Sequence, residues 1–131
     1  WDLNSSLEIA IKKIRDKHAG KILIIPADLP YLEENDIAAL SDAATDNNTV
    51  IAPDTNDSGT NALLLSTDQP FKLKFGPNSF AAHRNFCNEH GYSCSVIKTP
   101  GLATDIDTIN DLRQQDKDSL IDNYTIPRAS A

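Results

Sequence analysis

One stretch limits what this chain can fold into more than any other: Lys21 to Pro30, KILIIPADLP. Ile22, Leu23, Ile24 and Ile25 form a continuous apolar run of strand length, the pattern of a strand covered on both faces in a parallel sheet. Gly20 closes whatever precedes it. Pro26 has no N–H to give to a ladder, so the strand should stop there. Asp28 then falls just past the carboxyl end of a predicted central strand, where open α/β sheets hold their ligands. Two readings stay open for it: a cap for the next helix, or a carboxylate that binds something.

Alternating helical and strand patterns surround this stretch. Leu7, Ala10, Ile11 and Ile14 recur at helical spacing, with Asn4, Ser5 or Ser6 able to cap the start. A helix feeding a buried strand is half of a crossover unit, whose leading strand is not in the sequence. Residues 33–44 read as a second helix with Ile37, Leu40 and Ala44 inward, followed by a loop at Asp46-Asn47-Asn48. Val50–Ala52 is a short strand stopped by Pro53. The polar run Pro53–Asn61, PDTNDSGTN, is a loop that opens into a strand at Ala62–Leu65. Phe71, Leu73 and Phe75 alternate with Lys72 and Lys74, predicting an extended piece. Gly76-Pro77-Asn78 is a turn, and Asn78 or Ser79 can cap a helix running to about His90. A strand over 93–97 follows, then TPGLATDIDTINDL from Thr99, in which Thr108 and Asp111 resemble a capping box.

The chain has 131 residues with 40% hydrophobic and 24% charged content, enough for one domain with a sizeable core. The predicted unit covers residues 1–115, with a polar tail over 116–131. A net charge of −7 and a pI near 4.7 argue against nucleic acid as a partner, and an acidic protein that binds anions needs cations to offset repulsion. No run reaches membrane-spanning length and no signal-peptide pattern appears. Cys87 and Cys94 have no zinc or redox spacing, so reduced thiols and a cytoplasmic address are expected. The chain has no methionine and begins at Trp1, which suggests a piece of a longer protein.

Common catalytic motifs are missing: no Walker loop, no G-x-G-x-x-G, no G-x-S-x-G elbow, and scattered histidines. His18, near the end of the first helix, suits the helix dipole. What remains is Asp28 with a late pair, Asp105 and Asp107. Two apart in extended backbone, that pair points one way. Carboxylates in such a set either hold a hard cation such as Mg²⁺ or merely cap and solvate a turn.

Four motifs taken together resemble the 2-phospho-L-lactate, phosphoenolpyruvate and 3-phospho-D-glycerate guanylyltransferase family of coenzyme F420 biosynthesis. They are PADLP, APDTNDSGTNAL, FGPNSF with His83, and PGLATDIDTINDL, in that order. The resemblance implies an α/β fold, a GT-A-like nucleotidyltransferase three-layer α/β/α sandwich. It implies transfer of GMP from GTP to a small phosphorylated three-carbon acid, with release of pyrophosphate. By the same resemblance Asp28, Asp105 and Asp107 hold Mg²⁺, and Thr60, Gly76 and Ser79 hold the acid. Backbone N–H groups around Gly59-Thr60 and at the helix start near Ser79 fit that role as anion sites. Lys72, Lys74 and Arg84 either add positive charge or are solvated surface.

The family's first strand and its basic, glycine-containing nucleotide loop find no match; the resemblance starts near Asp2-Leu3-Asn4. The expectation is therefore an acceptor and metal half, pairing with a second copy or a missing fragment, or unable to transfer GMP alone. The competing reading is a non-catalytic binding or assembly module derived from a nucleotidyltransferase. A molybdenum-cofactor or sugar-phosphate nucleotidyltransferase fits the G-T-N-A-L and F-G-x-x-S-F pair less well.

Overall fold

The computed structural model describes residues 2–45 and 48–105. In chain order the elements are α1 (Leu3–Arg15), β1 (Lys21–Ile24), α2 (Glu34–Ala43), β2 (Asn48–Pro53), β3 (Thr60–Ser66), α3 (Ser79–His90), β4 (Ser93–Val96) and α4 (Pro100–Ala103). The four strands form one mixed sheet in the order β1-β3-β2-β4. β3 runs antiparallel to both neighbours, with Leu23 opposite Leu64 and Ile51 opposite Leu63, while β2 and β4 are parallel.

Strand alternation sends side chains into two cores. Ile51, Leu63 and Leu65 pack on one face with Ile11 of α1 and Phe80, Phe86 and Cys87 of α3. Val50, Ala52, Ala62 and Leu64 pack on the other with Leu40 of α2 and Leu102 of α4. Helices on both faces of one sheet make the three-layer α/β/α arrangement. Among the described residues, no helix is long and apolar enough to cross a membrane.

Several expectations change. β1 is an edge strand, antiparallel to its neighbour, rather than the centre of a parallel sheet. Its apolar run is only half covered beyond Ile22, because only one edge is paired among the described residues. The centre belongs to β3, buried along its whole length. Pro53 ends β2 as a member of it, where the ladder with β3 slips register between Ala52 and Pro53; a residue without an N–H is tolerated at such an irregularity.

α1 begins earlier than its serines suggest, with the Asp2 carboxylate accepting from the Asn4 N–H at 3.2 Å. Its buried stripe narrows to Ile11 with Leu7 beside it, and Ile14 is 40% exposed. In α2, Leu40 is buried, while Ile37 is exposed and Ala44 lies just past the helix end. That segment 71–75 is extended but unpaired, and its burial alternates as the sequence implies. The N-cap residue of α3 is Asn78, in the left-handed region with φ 58° and no side-chain capping bond. Cys87 and Cys94 are both free thiols, one on α3 and one on β4. The hydrogen bond that Cys94 gives it holds Cys87 down near 7 against the opposing effect of burial, and the same bond pushes Cys94 up.

α4 is locked onto the start of α2. Asp36 is buried and its carboxylate reaches back to accept from the Glu33 N–H at 2.8 Å. Gly101 lies against it: a Cβ there would run into the Asp36 carboxylate and sit 2.7 Å from the Tyr31 carbonyl oxygen. Gly101→Ala should therefore lower stability by about 1–3 kcal/mol through overpacking. Urea unfolding of the variant checks this; an unchanged midpoint would show that α4 moves away freely.

Candidate active site

The carboxyl end of β1, the start of β3 and the start of α3 meet at one place. Thr60 opens β3 and is nearly buried; Ser79 opens α3 and is buried; His83 follows one turn later with no exposure at all. Ser79 Oγ donates to Thr60 Oγ1 at 3.1 Å, and Thr60 Oγ1 lies 2.9 Å from His83 Nδ1. The Lys74 N–H donates to His83 Nε2 at 2.9 Å. Phe75 meets the imidazole edge-on with ring centroids 4.9 Å apart, and Phe71 lies tilted at 5.8 Å. Burial lowers the His83 pKa to about 4, with the nearby Lys74 charge acting in the same direction.

Thr60 lines a cavity of about 180 Å³ with Ile24, Ile25 and Pro26 from the end of β1, Leu3 and Leu7 from α1, and Phe75. Ser79 stands behind Thr60 rather than in that cavity. Gly76 is joined to the same corner, its carbonyl accepting from the Ser79 N–H at 3.2 Å. Asn4 clamps the segment from the other side: its side-chain amide donates to the Phe75 carbonyl at 3.0 Å and its Oδ1 accepts from the Phe75 N–H at 2.8 Å. The Leu73 N–H donates to Glu8 at 3.1 Å.

The predicted anion cradle around Gly59 is not free. The Asp54 carboxylate accepts from the N–H groups of Asn56, Ser58 and Gly59, at 3.2, 2.9 and 2.9 Å. At the start of α3, the Ser79 and Phe80 N–H groups go to the carbonyls of Gly76 and Ser58. These donors hold the loop together, and a carboxylate at their focus repels an anion. Side-chain hydroxyl and nearby cations are what the corner offers a negative ligand.

The three candidate cations separate by position. Lys74 is close enough to His83 for its charge to be felt. Arg84 lies over the Phe80 ring, 5.4 Å from its centroid, and Lys72 lines a separate groove with Arg15, His90 and Tyr92.

Of the carboxylates, Asp28 stands exposed in the turn after β1 and does not cap α2, whose N-cap residue is Glu33. Asp105 is half-buried just past α4, while Asp107 and the Thr108–Asp111 box lie outside the described residues. Among the described residues no three His, Cys, Asp or Glu side chains gather as a metal site. The approach to Asp105 is nonetheless fixed. Asn61 Nδ2 donates to the carbonyls of Leu102 and Ala103 at 2.9 and 3.2 Å, and Thr55 Oγ1 donates to Ala103 at 3.1 Å.

Asn61, Asp54 and the histidine's bond to Thr60 went unread in the sequence. Period-two alternation separates Asn61 from Thr60 but, counted back from Leu63 and Ala62, assigns each to the wrong face. The register slip between Ala52 and Pro53, which passes over Asn61, sends Thr60 to α3 and Asn61 to α4.

His83 makes the stability of the chain depend on pH. An unfolded imidazole takes a proton below about pH 6.5, and the folded one resists until about 4. Its contribution is complete above pH 6.5 and is lost as pH falls toward 4, by up to about 3 kcal/mol. Nuclear magnetic resonance titration should find the His83 ring neutral at pH 5; a midpoint near 6.5 would contradict the burial argument.

Residues 1–115 match the family described as guanylyl transferase CofC like. A phosphoenolpyruvate guanylyltransferase from Rubrobacter xylanophilus is 40% identical over 113 residues, covering 86% of this chain and 55% of that protein. A 2-phospho-L-lactate guanylyltransferase from Methanothermobacter thermautotrophicus is 36% identical over 111 residues, covering 85% of this chain and 48% of that protein. The chain thus spans about half the length of the curated relatives it matches. A solved structure titled as a putative nucleotide-diphospho-sugar transferase from Desulfovibrio desulfuricans G20 shares the fold, with a TM-score of 0.72 at 14% identity over 86% of this chain and 49% of its own. The mixed sheet, the corner built from G-T-N-A-L and F-G-x-x-S-F, and this match over most of the sequence agree: the chain belongs to the CofC-like guanylyl transferase family.

Proposed function

We propose that this chain forms the acceptor and metal half of a guanylyltransferase that moves GMP from GTP to a phosphorylated three-carbon acid in coenzyme F420 biosynthesis. The acid is 2-phospho-L-lactate, phosphoenolpyruvate or 3-phosphoglycerate. The observation that carries this reading is the position of Thr60, which lines the cavity at the carboxyl end of β1 together with Pro26, the residue two before Asp28 in the chain. Thr60 holds the acid there, with Ser79 and Gly76 shaping the corner.

Asp28, Asp105 and Asp107 offer carboxylate oxygens only, a donor set that suits Mg²⁺ and not a soft metal. When bound, Mg²⁺ supplies charge neutralisation for the two anionic substrates. An oxygen of the acid's phosphate forms the new bond to the α-phosphorus of GTP, and the bond to the bridging oxygen of the departing pyrophosphate breaks. The attacking oxygen is already ionised, so the chain's task is positioning rather than proton transfer. Lys74 supports the negative charge at the corner. Asn61 positions Asp105 by holding the two carbonyls ahead of it. The protein acts in the cytoplasm, and either a second copy or further chain covers the nucleotide.

The full-length protein incubated with GTP, Mg²⁺ and each acid in turn should release pyrophosphate with one of them. Asp105→Asn should lower that release by at least about a hundredfold, the scale of losing a charge-stabilising group. No release with any acid would favour a binding or assembly module, and full activity of Asp105→Asn would remove that aspartate from the metal set.

A further inference from the structure

His83 is buried without exposure and gives both ring nitrogens to the protein, tying α3 to the start of β3 and to the 71–75 segment. One goes to the amide of Lys74, the other to the hydroxyl of Thr60. The direction of each bond follows from the first. A neutral imidazole has one donor and one acceptor nitrogen. The Lys74 N–H can only donate, so Nε2 accepts, and the proton must sit on Nδ1. Nδ1–H then donates to Thr60 Oγ1. Ser79 Oγ–H donates to the same oxygen at 3.1 Å. Both lone pairs of the Thr60 hydroxyl are filled from behind, and its hydrogen is the part left to point elsewhere. Thr60 lines the cavity while Ser79 and His83 do not.

We propose that His83 is a positioning residue: locked as the Nδ1–H tautomer by the Lys74 amide, it turns Thr60 into an obligate hydrogen-bond donor toward an oxygen of the phosphorylated acid. This rests on the acceptor site placed at Thr60 above. It also sets a selection rule. The Thr60 hydroxyl, set among apolar lining residues, favours a ligand that presents an acceptor oxygen to it, such as a carboxylate or phosphate oxygen. It rejects one that presents a hydroxyl hydrogen there, because Thr60 has no lone pair to spare. A protonated ring would have to abandon the Lys74 amide, which the apolar box of Phe71 and Phe75 opposes.

Three measurements on the full-length protein test this. Nitrogen-15 resonances of His83 should report the Nδ1–H tautomer; an Nε2–H ring would overturn the proposal whatever the variants do. His83→Asn keeps an amide donor near the Nδ1 position, whereas His83→Gln carries its amide nearer Nε2 and leaves Thr60 unserved. Calorimetric titration with phosphoenolpyruvate, phospholactate and phosphoglycerate should show the best of these binding His83→Asn within about twofold of wild type and His83→Gln about tenfold more weakly, with GTP affinity unchanged in both. Equal losses in both variants, or none in either, would overturn the proposal. Binding of no acid by the wild type would overturn it together with the acceptor reading. Wild-type binding with the expected variant pattern but no pyrophosphate release would sustain the proposal and sink only the transfer reaction. Should His83→Gln fail to fold, the tautomer measurement on the wild type still decides.

Discussion

β3 is paired along both edges and buried on both faces, and the corner around Thr60 takes its position from that strand. Its neighbours β1 and β2 run antiparallel to it, and its side chains alternate between two cores that separate α1 and α3 from α2 and α4. Burial of Leu63, Leu64 and Leu65 stabilises the molecule by the usual apolar transfer, on the order of 1.5–3 kcal/mol for each side chain. The alternation breaks at the strand's first two residues. The register slips between Ala52 and Pro53 and passes over Asn61, so Thr60 and Asn61 exchange the faces that counting back from Leu63 and Ala62 would give them. Thr60 is carried toward α3, where it meets Ser79 and His83. Asn61 is carried toward α4, where it holds the carbonyls that precede Asp105. The dense core on both faces fixes the register of the strand's middle, and the irregularity opposite Pro53 then sets which of the two residues meets α3 and which meets α4.

The electrostatics of the corner bear on the anion-binding role proposed for it. The polar loop between β2 and β3 looks like a phosphate cradle, yet its amides converge on Asp54. The loop is thereby made rigid, and its shape is set before any ligand arrives. With a net charge of −7 on the whole sequence, the phosphate binding proposed here would draw on cations and on single well-aimed donors. A buried neutral imidazole suits this arrangement. It orders a hydroxyl without adding a charge whose desolvation the apolar surroundings would oppose.

Much of this was legible in the residues. The alternation of helix and strand patterns, the extended 71–75 segment and the turn at Gly76 are local properties, written in periodicities of 3.6 and 2 and in turn chemistry. The four motifs identified the family because they keep their order and spacing. What local patterns misjudged was neighbourhood. The apolar run at Ile22–Ile25 has the composition of a central strand, but composition does not say how many edges of a strand are paired. The loop at 53–61 has the composition of an anion site, but composition does not say which of its own side chains will occupy the amides first. Ile14 fits the helical stripe of α1, yet it lies outside the core that Ile11 and Leu7 join.

The sequence by itself determined the class of fold, the family, and which side chains are chemically able to serve: carboxylates at Asp28, Asp105 and Asp107, hydroxyls at Thr60 and Ser79. Those follow from residue type and from spacing along the chain, which need no partner to be read. Only the tertiary structure decided that β3 and not the KILIIPADLP strand is the centre, that Asp54 fills the loop, and that His83 stands behind Thr60. Each of these depends on contacts between segments far apart in sequence. Hydrogen-bond donors and acceptors buried together must be matched to one another, and the matching is settled only when the sheet brings those segments within reach.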